Sequence, residues 1–182
     1  SFEMPLLTSI KGSIGITNNT LLSTISIQNT LDTITGAILI NENPALSSVN
    51  FDLITSAQAI AIIGNDTLDN LSFTALEIVD FTTDDIYYNG VHVRDNTLLQ
   101  QAAFPMLQEV KTNIGFNSNE ALETVDFSSL TAFKTELNIY SSPLSTTFVN
   151  SVLAQLASIA PAITGKTIHL SGTATGQGIA DR

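Results

Sequence analysis

The sequence predicts a β-rich solenoid: short parallel strands from successive coils, stacked side by side over a shared core, with one amphipathic helix near the C-terminal end. Three observations carry that expectation. Pairs of apolar residues separated by one position recur every 22–31 residues or so, about one coil. A fixed series of Asn, Leu and Phe follows most of these pairs. From Thr146 to Ile159 that pattern gives way to helical spacing.

The pairs are Ile14/Ile16, Ile38/Ile40, Ile60/Ile62, Val91/Val93, Ile114/Phe116, Leu137/Ile139 and Ile168/Leu170, with spacings of 24, 22, 31, 23, 23 and 31 residues. Alternation with one intervening residue is the mark of a short strand with one buried face. Five residues after the first apolar position stand Asn19, Asn43, Asn65, Asn96 and Asn119. Three residues later come Leu22, Leu46, Leu68, Leu99 and Leu122. Ile25, Val49, Leu71, Ala102 and Val125 follow, and two positions on stand Ile27, Phe51, Phe73, Phe104 and Phe127. Repetition at this period is the signature of a stacked architecture, because a single coil cannot bury its own apolar side. With roughly five large apolar side chains per coil, each contributing about 1.5–3 kcal/mol on burial, stacking offsets the ordering entropy. The Asn column is expected to satisfy backbone groups at the turn leaving each strand.

Two segments break the repeat. One long coil is expected to carry its extra residues at about 77–90, EIVDFTTDDIYYNG, ending in an Asn89-Gly90 turn. Insertions in solenoids gather on one face, often the binding face. Tyr87 and Tyr88 offer amphipathic contact area there, or else pack onto the sheet. The second break is TTFVNSVLAQLASI, where Phe148, Val149, Val152, Leu153, Leu156 and Ile159 follow helical spacing over about 146–159. A last strand at about 167–171 closes the stack. The whole chain, 1–182, is expected to be a single repeat domain. SFEMPLLTSI reads as the tail of a preceding repeat and GIADR as an abrupt end, so the chain is expected to be part of a longer protein, with further coils, a cap or a partner before Ser1.

The pattern I-x-G-x-I-x-I-x-x-N-P-x-L-x-x-V at Ile34 to Val49 resembles the leucine-rich repeats of receptor L-domain-like proteins and their bacterial surface relatives. The block TTFVNSVLAQLAS…TGKTIHLSG is similar to the C-terminal end of repeat proteins from bacterial surfaces and phage appendages. The resemblance implies a right-handed solenoid of the α/β repeat class, used for recognition or adhesion at a cell or virion surface. Gln58 departs from the pattern, standing where Gly12 and Gly36 stand in earlier coils, and cysteine caps are missing.

Composition narrows the function further. The net charge is −11, from 17 acidic and 6 basic residues. Nucleic acid and anionic bilayers are repelled, while divalent cations suit the surface as secondary partners. The chain has no cysteine, so no disulfide, thiol nucleophile or thiolate metal site exists. No run of 18 apolar residues occurs. The charged fraction is only 13%, against roughly 25% in ordinary domains. Asn, Ser, Thr and Gln therefore supply the polar surface, as is common in exported proteins.

A catalytic constellation is not expected. His92 and His169, each between two inward positions, should point outward about 14 Å apart at ~4.8 Å per strand, too far to share a metal. Asp84-Asp85 lacks an opposing carboxylate, no serine lies in a nucleophile elbow, and the terminal GQG lacks the lysine of a phosphate loop. No cofactor is implied. Alignment places Gly15, Leu39, Ala61, His92, Gly115, Asn138 and His169 in one outward column, and Thr17, Asn41, Ile63, Arg94, Asn117, Tyr140 and Ser171 in the next. The expected ligand face is His92, Arg94, Asn117, Asn138 and Tyr140, rimmed by Tyr87 and Tyr88, taking a glycan or a protein. Alternatives are a structural spacer or fibre subunit that associates through solenoid ends, and a polysaccharide-acting β-solenoid enzyme. Sequons at Asn18, Asn65 and Asn70 are expected to be chance matches in an Asn/Thr-rich chain.

Overall fold

Residues 1–3, 6–27, 30–80, 89–140, 142–158 and 165–171 are described by a computed structural model. They form a parallel β-solenoid of about 5 turns with a single short helix. A full coil has three sides. In one, β5 (Ile38–Asn41), β6 (Ser48–Phe51) and β7 (Ser56–Ala57) follow one another; in the next come β8 (Ile60–Ile63), β9 (Asn70–Ser72) and β10 (Ile78–Val79). The sequence predicts the strands of the first side and the inward columns of the second, but neither the second-side strands nor the third side.

Preceding coils contribute β1 (Ser9–Ile10), β2 (Ile14–Thr17), β3 (Thr24–Ile27) and β4 (Thr33–Ile34). Later ones contribute β11 (Gly90–Arg94), β12 (Gln101–Ala103), β13 (Glu109–Val110), β14 (Asn113–Asn117), β15 (Thr124–Asp126), β16 (Ala132–Phe133), β17 (Glu136–Tyr140) and β18 (Thr167–Leu170). Like sides pair in parallel. The first sides form a seven-stranded sheet, β18-β17-β14-β11-β8-β5-β2, and the second sides a five-stranded sheet, β15-β12-β9-β6-β3. Third sides form a four-stranded sheet, β16-β13-β10-β7, with β1 and β4 paired separately. Phe2 bridges Ile25 in parallel, so the first residues lie on the coil that follows them.

The core is the stack of inward side chains. Phe51, Phe73, Phe104 and Phe127 form one row, with successive ring centroids 5.2, 5.3 and 6.1 Å apart. Phe116 meets Phe104 and Phe127 edge-on at 5.9 and 5.7 Å. The third side adds two buried columns: Leu31, Ile54, Leu76, Leu107 and Leu130, then Ile34, Ala57, Val79, Val110 and Phe133.

From Asn43 onward each first corner is built the same way, while Asn19, at the start of the ladder, is exposed. Asn43, Asn65, Asn96 and Asn119 are fully buried. The Oδ1 of each accepts from the backbone N–H of the preceding coil's Asn at 3.0–3.1 Å. The Nδ2 of each donates to a carbonyl of the preceding coil's first strand: Ile16, Ile40, Ile62 and Val93 in turn, each at 3.0 Å. A turn then brings the Leu N–H back to the Asn carbonyl, as from Leu68 to Asn65 at 3.0 Å. The expected structural role of the Asn column is thus met, rung upon rung.

One expectation about the breaks needs correcting. The insertion was placed at about 77–90, yet Ile78 and Val79 pair in register with Ser56 and Ala57 on one side and Glu109 and Val110 on the other. The regular coil thus runs through Val79, and Tyr87, Tyr88 and the Asp84-Asp85 pair lie outside the described residues. Helix α1 spans Thr146–Ala157, with Phe148, Val149, Val152, Leu153 and Leu156 buried; Ile159 lies outside the described residues. Ser145 caps it, its Oγ accepting from the Phe148 N–H at 3.1 Å. Gln155 Nε2 donates to the Phe127 and Leu130 carbonyls at 2.6 and 3.0 Å, which ties the helix to the last three-stranded coil.

Candidate functional site

The seven-stranded sheet sets the geometry of the expected face. Its register pairs His92 with Ala61 and Gly115, and Asn138 with Gly115 and His169. In the next column Arg94, Asn117 and Tyr140 are direct neighbours. One strand spacing is about 4.8 Å, so these three side chains stand roughly that far apart in sequence order. The two histidines are three strands apart, as the repeat spacing implied.

The face is less open than alternation alone implies. Ala61 is fully buried and Gly115 is buried as well. Period-2 spacing tells which way a residue points; it does not tell what stands on either side. Ala61 lies between Leu39 and His92, and Gly115 between His92 and Asn138, so larger neighbours close over the small positions. Ile63 is also nearly covered, and His92 is half-buried rather than free on the surface.

Arg94 and Tyr140 stand out: the Arg94 side chain is 53% exposed and Tyr140 is 48% exposed. Between them Asn117 keeps an Oδ1 that is shielded from solvent and accepts no hydrogen bond, and Asn138 Oδ1 is in the same condition. An acceptor left without a donor is costly, so these two oxygens suit a donor brought by something else. Asn138 Nδ2 donates to Glu136 Oε2 at 2.8 Å. Glu136 escaped the sequence reading, although it lies two positions before Asn138 and hence on the same face.

His92 Nε2 sits 3.0 Å from the Asn89 carbonyl. The neutral ring donates there from Nε2. Burial pushes the imidazole below its ordinary value near 6.5; the Asn89 bond opposes this and the nearby Arg94 charge adds to it. His92 is thus a neutral, anchored group that borders the face. Arg94 makes a loose pair with Asp95 at 3.9 Å, which leaves its guanidinium available.

Among the described residues no group of three His, Asp or Glu side chains is placed to hold a metal ion. No helix among them is long and apolar enough to cross a membrane. The structure also sorts the sequons. Asn65 is buried in the ladder and closed to a glycan, whereas Asn18 and Asn70 are exposed. Compared with known proteins, the chain matches no family model, no curated protein and no solved structure.

Proposed function

We propose that this solenoid is a non-enzymatic recognition or adhesion module of an extracellular surface, cellular or viral, and that it binds a glycan or protein ligand on the seven-stranded sheet. One observation carries the reading: two unpaired amide oxygens, on Asn117 and Asn138, lie beside the exposed Arg94 and Tyr140 on adjacent strands. A hydroxyl or amide of the ligand supplies the missing donors. Tyr140 gives contact area at low entropic cost and Arg94 gives a charged fork. His92, neutral and anchored, borders the same surface. Kinship with leucine-rich, L-domain-like repeats of right-handed coil belongs to this reading and rests on the Ile34–Val49 pattern.

The test is a glycan array and a cell-binding assay with the wild-type chain and the Arg94→Ala/Tyr140→Ala double variant. The expected outcome is binding that the double variant loses while its circular dichroism is unchanged. Equal binding by both proteins removes this face from consideration. A second reading, a structural spacer or fibre subunit, is favoured by the regular in-register stack with edge strands β2 and β18 at the two ends of its longest sheet. Filaments of the pure chain in electron micrographs, with no ligand bound on the array, select that reading. Release of sugar from a polysaccharide overturns both.

A further inference from the structure

The five-stranded sheet carries a groove on its outer face, remote in the coil from the Arg94–Tyr140 surface and not used by it. The groove has a volume of about 390 Å³. Register explains its shape. Asn50, Ser72, Ala103 and Asp126 form one outward row across four strands. The small Ser72 and Ala103 side chains lie in the middle, with the longer Asn50 and Asp126 at either end, about 14 Å apart at ~4.8 Å per strand. Asn70 and Gln101, paired with each other in the parallel row, are exposed and form the side wall with Thr124.

We propose that this groove is a second binding site and that its ligand is a neutral oligosaccharide. The chemistry of the lining selects that class. Amides and hydroxyls each donate and accept, which matches a ligand made of hydroxyl groups. Asn50 brings a second, independent sign: its Oδ1 is shielded and accepts no hydrogen bond. Asp126 is the sole charged side chain in the lining, and no aromatic or basic residue is present. An anion therefore meets one carboxylate and a chain of net charge −11. An apolar ligand meets walls of amides that it cannot pair. A peptide strand adds at a sheet edge, whereas the backbone beneath this groove is already paired in the parallel ladder.

The experiment is a two-dimensional 1H–15N NMR titration of the whole chain with cellohexaose, maltohexaose and xylohexaose, and with hexagalacturonate as the charged comparison. The expected result is that at least one neutral sugar shifts the amides of Asn70, Ser72, Gln101 and Ala103, with a dissociation constant on the order of 1 mM. Hexagalacturonate leaves them in place. Gln101→Ala and Asn50→Ala each weaken binding by about 2- to 10-fold, the span of one neutral hydrogen bond. Ala103→Trp fills the groove and abolishes binding, with a thermal melt to check its fold; Gln101→Ala decides the matter if the tryptophan variant does not fold. The proposal is overturned by the absence of groove shifts with all three neutral sugars at concentrations on the order of 10 mM. It is equally overturned by shifts that Gln101→Ala leaves unaltered, or by stronger binding of hexagalacturonate. None of these outcomes depends on Arg94 or Tyr140, so this site and the one on the seven-stranded sheet stand or fall separately.

Discussion

At the scale of single residues, the corner before each ladder Asn carries an unexpected cost. Asn18, Glu42, Asp95 and Ser118 all have φ between 56 and 60°, and Gly64 occupies the same row at 65°. A residue in this left-handed region loses roughly 1–2 kcal/mol when it carries a Cβ, with Asn and Asp losing least. Glu42 and Ser118 are therefore the strained members of the row. Glu42→Gly and Ser118→Gly should each raise stability by about 1 kcal/mol, and a urea titration reads this directly. The reverse change, Gly64→Ala, should lower it, since its new Cβ would also lie 2.8 Å from Glu42 Oε1. No sequence pattern announces this row, because its five positions hold five different residue types. His92 makes a second claim at this scale. Its folded-state proton affinity is depressed, so the unfolded chain binds more protons just below the ordinary value near 6.5. The sign follows: stability is unaffected above about pH 7.5 and falls as pH drops through 6.5. His92→Gln keeps a donor for the Asn89 carbonyl and removes the titration. Denaturation midpoints at pH 7.5 and 6.0 should differ more in the wild type than in this variant; equal differences would show that His92 does not contribute.

At the scale of elements, the aromatic row tests whether stacking, rather than any one coil, holds the fold. Phe104 touches Phe73, Phe116 and Phe127, whereas Phe51, at the end of the row, touches Phe73. Both are fully buried. Phe104→Ala should cost about 3–5 kcal/mol, and Phe51→Ala somewhat less, because Phe104 loses three ring–ring contacts and Phe51 one, with the aliphatic Ile27 in register on its other side. Chemical denaturation of the two variants decides it, and equal losses would argue against a shared row. This row was legible in the sequence because one residue type recurs at one position of the coil. The third side was not. Its strands are two residues long, so no alternation is visible. The inward position within those strands varies, through Ile34, Ala57, Val79, Val110 and Phe133, while the more uniform column Leu31, Ile54, Leu76, Leu107 and Leu130 lies just before the strands and not in them. Missing that side is also why the insertion was begun too early, at 77, where Ile78 and Val79 complete the coil. The helix was legible almost to the residue, since its five buried positions repeat at helical spacing and Ser145 supplies a start signal.

For the whole molecule, face and chemistry were readable to different depths. Period 2 assigned Arg94, Asn117, Asn138 and Tyr140 to one outward surface, and the register agrees. The orphaned amide oxygens and the closed positions at Ala61 and Gly115 depend on neighbours in adjacent strands, some 23–31 residues away in the chain, and no local pattern encodes them. Charge is the property that belongs to the molecule entire. Against a net charge of −11 the described residues contain two ion pairs within 4.0 Å, Lys111 with Asp80 at 2.7 Å and Arg94 with Asp95 at 3.9 Å. Both are substantially exposed, and such pairs contribute about 0–1 kcal/mol. The excess carboxylates repel one another across a compact surface, and unfolding lets them separate. Added salt screens that repulsion and the two attractive pairs alike, so its net effect reveals which is larger. Seventeen acidic against 6 basic residues leave 11 uncompensated negative charges, set against two weak ion pairs, so repulsion should win. Raising NaCl from about 10 to about 150 mM shortens the screening length from ~30 to ~8 Å. The melting temperature should then rise by a few degrees, near the 2–4 °C that about 1 kcal/mol brings in a chain of this size. A fall on adding salt would mean that attractive pairs, not the shape of the stack, carry the electrostatics of this surface.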